Sequence, residues 1–154
     1  MKSKVKFDGV PQSSILGEFH LQSDMLRVMD LVCTGLESGC YGSFTIVGYE
    51  KPKEIKYTID GFHNTSEKGR VYRHIDYPFN EGGAVLFKIK DDYAETKEEQ
   101  DTTYRLDRAA LAKGMQIFME KVPHCYADWI KENDDALTGD AFIQCCLLGD
   151  VVYG

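Results

Sequence analysis

The chain has 154 residues and a mass of 17.5 kDa, about the size of one ordinary domain. With 43% hydrophobic and 12% aromatic residues it can bury a core, which excludes a disordered chain. A formal charge of −7 and a pI near 5.1 argue against a general nucleic-acid binder working by phosphate neutralisation. The charge is uneven: residues 1–90 hold 12 Lys/Arg and 11 Asp/Glu, and residues 91–154 hold 6 and 14.

No apolar run approaches the ~20 residues that span a bilayer, so no membrane association is expected. The start, Met1-Lys2-Ser3-Lys4-Val5-Lys6, is basic but has no apolar stretch after it, so no signal peptide is expected. Five cysteines (Cys33, Cys40, Cys125, Cys145, Cys146) include no C-x-x-C pair. They read as reduced, packed thiols of a cytosolic protein rather than a zinc or disulfide set.

Residues 1–22 are mixed, with turn chemistry at Asp8-Gly9 and Pro11. Ser23-Asp24 then opens a helix whose face is Met25, Val28, Met29, Val32 and Leu36, ending about Gly35 and Gly39. Cys40–Val47 is strand-like, and the alternation of Ile55, Tyr57 and Ile59 predicts a second strand. His63–Gly69 reads as a polar loop. Val71, Arg73 and Ile75 mark a short third strand ended by Pro78, and Ala84–Lys90 a fourth. Asp91–Asp101 is charged and aperiodic, a solvated loop.

The last third is helical. Leu111, Gly114, Met115, Phe118 and Val122 form the face of a helix starting near Asp107. Pro123 breaks it and suits the first turn of the next helix, which runs to about Glu132. Thr138 or Asp140 caps a last helix, with Phe142, Cys145, Cys146 and Gly149 along one side. The fold expected is a single α+β domain over 1–154. Its antiparallel sheet of about four strands packs against one N-terminal and about three C-terminal helices.

Three clusters carry candidate chemistry. Glu132-Asn133-Asp134-Asp135 with Asp140 offers oxygen ligands for a hard cation, but the EF-hand spacing fails and a capped helix–helix turn explains the same residues. Lys68-Gly69-Arg70-Val71-Tyr72-Arg73-His74 is basic. On a strand, Arg70, Tyr72 and His74 share one face, suited to gripping a phosphate or stacking a base. Glu37-Ser38-Gly39-Cys40-Tyr41-Gly42-Ser43 is a glycine turn flanked by a carboxylate and a phenol. No P-loop, G-x-G-x-x-G, HExxH or G-x-S-x-G motif is present, so no catalytic set, cofactor or resident metal is expected.

Two stretches resemble small, functionally uncharacterised bacteriophage and prophage accessory proteins. One is Thr34-Gly35-Leu36-Glu37-Ser38-Gly39 with Tyr41, running on to Tyr49-Glu50, close to T-A-x-E-G-G-x-x-Y. The other is Glu132–Asp140 with Gln144 and the ending Gly149-Asp150-Val151-Val152-Tyr153-Gly154, close to E-N-x-D-A-x-T-G-D and F-G-E-x-V-Y-G. The chain departs from these patterns at Gly35, Ser38 and Leu148. The resemblance implies a counter-defence factor acting in the host bacterial cytoplasm, and it carries no enzymatic activity with it.

The leading expectation is therefore a non-enzymatic protein that sequesters a small anionic ligand, foremost a nucleotide immune signal. Lys51, Arg70, Arg73 and His74 would meet phosphate, Tyr41 or Tyr72 would stack, and Glu37, Asp140 and Gln144 would read polar edges. A pocket shared between subunits would suit such a role, so a homo-oligomer is compatible with it. One alternative is an acidic, anti-CRISPR-like inhibitor that binds a host defence protein through the C-terminal third. Another is a metal-dependent hydrolase built on the Glu132–Asp140 carboxylates.

Overall fold

The computed structural model describes residues 25–36, 42–58 and 74–153. Helix α1 covers 25–36, its last two residues in a wider π turn. Strand β1 (Phe44–Glu50), a 3-10 helix (His74–Phe79) and strand β2 (Ala84–Ile89) follow. Then come α2 (Lys97–Asp101), β3 (Tyr104–Leu106), α3 (Arg108–Lys121), α4 (Pro123–Ile130) and α5 (Ala136–Leu148). The molecule is α+β. Among the described residues the sheet has three antiparallel strands in the order β1-β2-β3.

Strand β2 is central, with one face in the core and the alternate residues Leu86 and Lys88 partly exposed. Its Val85, Phe87 and Ile89 are buried. Phe44 pairs with Ile89, and Val85 with Leu106. The register shifts between Ile46 and Gly48, so Val47 forms a bulge and β1 turns Ile46, Val47 and Tyr49 toward solvent.

One expected strand is corrected, and another is corrected only at Ile75. Residues 51–58 run without strand pairing (Ile59 lies outside the described residues), although Ile55 and Tyr57 alternate with polar neighbours. The reason is Asn80. Its Oδ1 accepts from the amides of Lys56 (2.7 Å) and Tyr57 (3.0 Å). Its Nδ2 donates to the carbonyls of Tyr57 (2.9 Å) and Asp76 (2.8 Å). One buried side chain thus satisfies backbone groups that a neighbouring strand would otherwise pair. In the other expected strand, Val71 and Arg73 lie outside the described residues, and Ile75 lies in the 3-10 helix. Pro78 cannot donate to a ladder, and burial of Ile75 and Phe79 follows a helical spacing.

The charged stretch 91–101 is not loop throughout. Thr96 Oγ1 accepts from the Glu99 amide (3.1 Å), and the Glu99 carboxylate reaches back to the Glu95 amide (2.7 Å). That reciprocal cap nucleates α2. The three-residue strand β3 then follows where no strand is expected from the sequence.

The C-terminal helices match their sequence signals more closely. Asp107 caps α3 by accepting from Ala110 N at 2.8 Å, and Pro123 opens α4. The cap of α5 is Asp135, not Thr138 or Asp140: its Oδ1 accepts from Thr138 N (3.0 Å) and Thr138 Oγ1 (3.1 Å). Gly149 ends α5 in the left-handed region at φ 75°.

A single cluster of buried side chains joins α1, the sheet, the 3-10 helix, α3, α4 and α5. Two close approaches set its geometry. A Cβ on Gly139 would lie 2.6 Å from Gly35 N, so α1 and α5 cross backbone to backbone. A Cβ on Gly114 would lie 2.7 Å from Cys146 Cα, so α3 and α5 are equally close. Phe118 of α3 meets Phe142 of α5 edge to face at 5.4 Å. At the far end of α1, the Arg27 guanidinium lies over the Trp129 ring and donates to the Trp129 carbonyl. Among the described residues no helix is long and apolar enough to cross a membrane.

Candidate functional site

Glu37, Tyr41, Arg70, Tyr72 and Arg73 lie outside the described residues. His74 is the first residue of the 3-10 helix, and Lys51 is exposed just beyond β1. Asp140 and Gln144 lie one turn apart on α5.

Gln144 is fully buried and its amide is wholly engaged by the protein itself. Nε2 donates to Asp140 Oδ2 (2.8 Å) and to the Tyr153 carbonyl (2.7 Å). Oε1 accepts from the amides of Val152 (2.8 Å) and Tyr153 (2.9 Å). Two donors and two acceptors are the whole capacity of a glutamine. The residue therefore holds the chain end against α5. Tyr153, so held, packs its ring on Tyr93 (5.3 Å between centroids) and Phe44 (6.4 Å). Lys121 adds a bond to the Gly149 carbonyl (3.0 Å) and an ion pair with Asp150 (3.4 Å).

Asp140 orients this glutamine. Its Oδ1 is a buried side-chain oxygen without a hydrogen-bond partner among the described residues. Burial pushes its carboxyl above the ordinary carboxylate value, and the Gln144 amide only partly opposes that. Asp135 is spent on capping, and its carboxyl is held low chiefly by the Thr138 amide. Among the described residues there is no group of three or more His, Cys, Asp or Glu side chains placed to hold a metal ion.

Three of the thiols are held toward their protonated form. Burial pushes Cys145 to about 11 and Cys146 well above the ordinary thiol value, and raises Cys125 as well.

A concave feature of the described surface lies elsewhere, where α1, the 3-10 helix and α3 meet. It is a cavity of about 110 Å³ lined by Met25, Val28, Phe79, Leu111, Ala112 and Met115, with Arg108 as its one charged residue. The Arg108 guanidinium lies over the ring of Tyr57, 5.8 Å from the centroid, and Tyr57 is the residue whose backbone Asn80 grips. Arg108 has no carboxylate partner among the described residues. The cavity thus combines an apolar interior with a single cation.

Sequence reasoning places Met25, Val28, Leu111 and Met115 on apolar helix faces, which they do occupy, and assigns nothing to Arg108. One cue was readable. A cation in the first turn of a helix gains nothing from the helix dipole, which favours acids there. An arginine directly after the Asp107 cap is therefore better explained by something outside its own helix.

Comparison with known protein families, with curated proteins and with solved structures finds no match to this chain.

Proposed function

We propose that this is a non-enzymatic binding protein that sequesters a small anionic ligand. The setting is the one its sequence resemblance implies, a phage accessory protein countering a host defence in the bacterial cytoplasm. The observation that carries the reading is the cavity under Arg108: apolar walls to desolvate a ligand's body, and a guanidinium to meet its charge. The basic sequence Lys68–His74 leads directly into the 3-10 helix whose last residue, Phe79, lines that cavity. At about 2 Å rise per residue, His74 begins that helix roughly 10 Å from Phe79.

Isothermal titration against cyclic and linear nucleotides and simpler organic anions tests the reading. Saturable binding that Arg108→Gln weakens at least tenfold supports it. A folded protein that binds none of these anions refutes it.

A second reading, an acidic inhibitor of a host defence complex, draws on a different surface. Asp91, Asp92, Glu95, Glu98 and Asp101 are all exposed on and before α2, beside the half-exposed ring of Tyr93. Such a field predicts capture of a basic partner that high salt abolishes. Capture that persists when these five acids are replaced by their amides counts against it.

A further inference from the structure

The lining of the cavity narrows the ligand class, on the premise that the protein binds a small anion at this site. We propose that the cavity takes the hydrocarbon body of an amphiphile with one anionic head group. That body is one phenyl-sized ring or short branched chain, and its single carboxylate or phosphate rests on Arg108.

Size comes first. A cavity of about 110 Å³ is comparable with apolar cavities that accept one benzene-sized group. A base with its ribose does not fit within it.

Polarity decides between a nucleobase and a hydrocarbon ring of similar size. Apart from Arg108 the wall is built of Met, Val, Phe, Leu and Ala side chains. A nucleobase buried there would leave its ring nitrogens and exocyclic groups without partners, the costliest way to bury polar atoms. A hydrocarbon group loses nothing by entering. Met25 and Met115 add flexible, polarisable walls that adjust to a ring or a branched chain.

The charge is placed for a head group. The Arg108 guanidinium is exposed and supported on the Tyr57 ring. Its planar fork matches a carboxylate or a phosphate oxygen pair. Asn80 fixes the backbone on both sides of the Lys56–Tyr57 peptide and holds that peptide to the 3-10 helix through Asp76. Asn80 is thus a positioning residue for the cation. It connects the two elements that carry Tyr57 and Phe79.

The test uses the full chain with methyl-labelled methionine and four probes: phenylacetate, phenyl phosphate, neutral benzyl alcohol, and cyclic AMP. Phenylacetate and phenyl phosphate are expected to shift the Met25 and Met115 methyl signals saturably at millimolar concentration or below. Benzyl alcohol, lacking the charge, is expected to bind about tenfold more weakly. Arg108→Gln should weaken the two anions about tenfold and leave benzyl alcohol unchanged. Ala112→Leu, at an exposed helical position, fills the cavity and should abolish binding of all three.

Anion binding that survives Ala112→Leu overturns the proposal. So does benzyl alcohol binding as tightly as phenylacetate. Cyclic AMP binding that Ala112→Leu leaves intact overturns this inference while sustaining the broader ligand-binding reading. No binding by any probe overturns this inference, and the broader reading falls with it only if the wider nucleotide panel also fails to bind.

Discussion

Gln144 separates a structural from a ligand-reading role for α5, and Gln144→Leu is the informative change. Leucine keeps most of the volume, so the cavity penalty is small, and it removes four hydrogen bonds of 2.7–2.9 Å. At about 1 kcal/mol net for each, the loss has a ceiling near ~4 kcal/mol. Peeling of the chain end limits it, because water then reaches the freed amides of Val152 and Tyr153. What is forfeited is chiefly the tail's own docking, including the Tyr153 ring against Tyr93 and Phe44, so about 2–3 kcal/mol is expected. The assay is urea unfolding followed by circular dichroism, with midpoints compared at constant slope. The companion is a chain lacking residues 151–154, alone and combined with Gln144→Leu. If Gln144 acts by holding the tail, the substitution costs the shortened chain at most about 1–1.5 kcal/mol, since only the Asp140 bond is left to lose. Equal costs in the full and shortened chains would refute the clasp. So would a Gln144→Leu protein of unchanged stability that loses ligand binding.

Asp140→Asn should stabilise the protein at pH 7, because burial raises the folded carboxyl above its ordinary 3.8 and the ionised form is therefore the disfavoured one. The sign follows from linkage: the penalty is full above the folded value and fades as pH falls toward 3.8. The gain should shrink over that window, and a gain that grows on acidification would contradict it. Asp135→Ala should cost about 1 kcal/mol at neutral pH through loss of the α5 cap. Here the folded carboxyl is lowered, so the difference from wild type should disappear as pH falls through that depressed value, read by the same unfolding curves. Gly114→Ala should destabilise by about 1–3 kcal/mol despite alanine's better helix propensity. The new methyl would lie 2.7 Å from Cys146 Cα and 2.9 Å from Cys146 Cβ. Adding Cys146→Ala should not restore the midpoint, since both of those atoms stay; full rescue would show that the sulfur alone sets the α3–α5 distance.

The parts legible in the sequence are those governed by local rules. The α1 face Met25, Val28, Met29 and Val32 is buried as its spacing requires. The start of α3 at Asp107 and of α4 at Pro123 follow from cap chemistry and from proline's fixed φ. Misreadings arise where a distant side chain overrides a local pattern. Ile55 and Tyr57 alternate like a strand, but Asn80, more than twenty residues away, takes the amides that a strand would pair. The Thr96–Glu99 cap was readable and marks the start of α2, although the surrounding charge favours a loop. β3 has too few residues for its period to stand out. Of the candidate site, Asp140 and Gln144 are polar residues on a helix, and nothing in their spacing distinguishes a ligand contact from an internal tie.

The burial pattern of α5 supplies that distinction. From Thr138 to Cys146 every residue but Asp140 is buried, two of them polar. Over this stretch the helix is core on nearly every side and offers a ligand little surface. It packs against α1 at Gly35, against α3 at Gly114 and Phe118, and against the chain end at Gln144, and it also touches α4 and β3. The polar atoms of such a helix must be satisfied internally, and Gln144 is. The amphipathic helices α1 and α3 are different. Each has one buried face, and along part of their junction the packing stays open around Ala112, whose small side chain leaves the space unfilled. A closed apolar void costs roughly 24 cal/mol per Å³, so this partly open volume of about 110 Å³ costs less than about 2–3 kcal/mol. Ala112→Leu would recover part of that in the free protein if the cavity is only a packing defect. A bound hydrocarbon group recovers it in the wild type instead. The two cases separate in one measurement: thermal unfolding of both proteins with and without phenylacetate. Stabilisation of wild type by the ligand, absent in Ala112→Leu, assigns the open volume to binding.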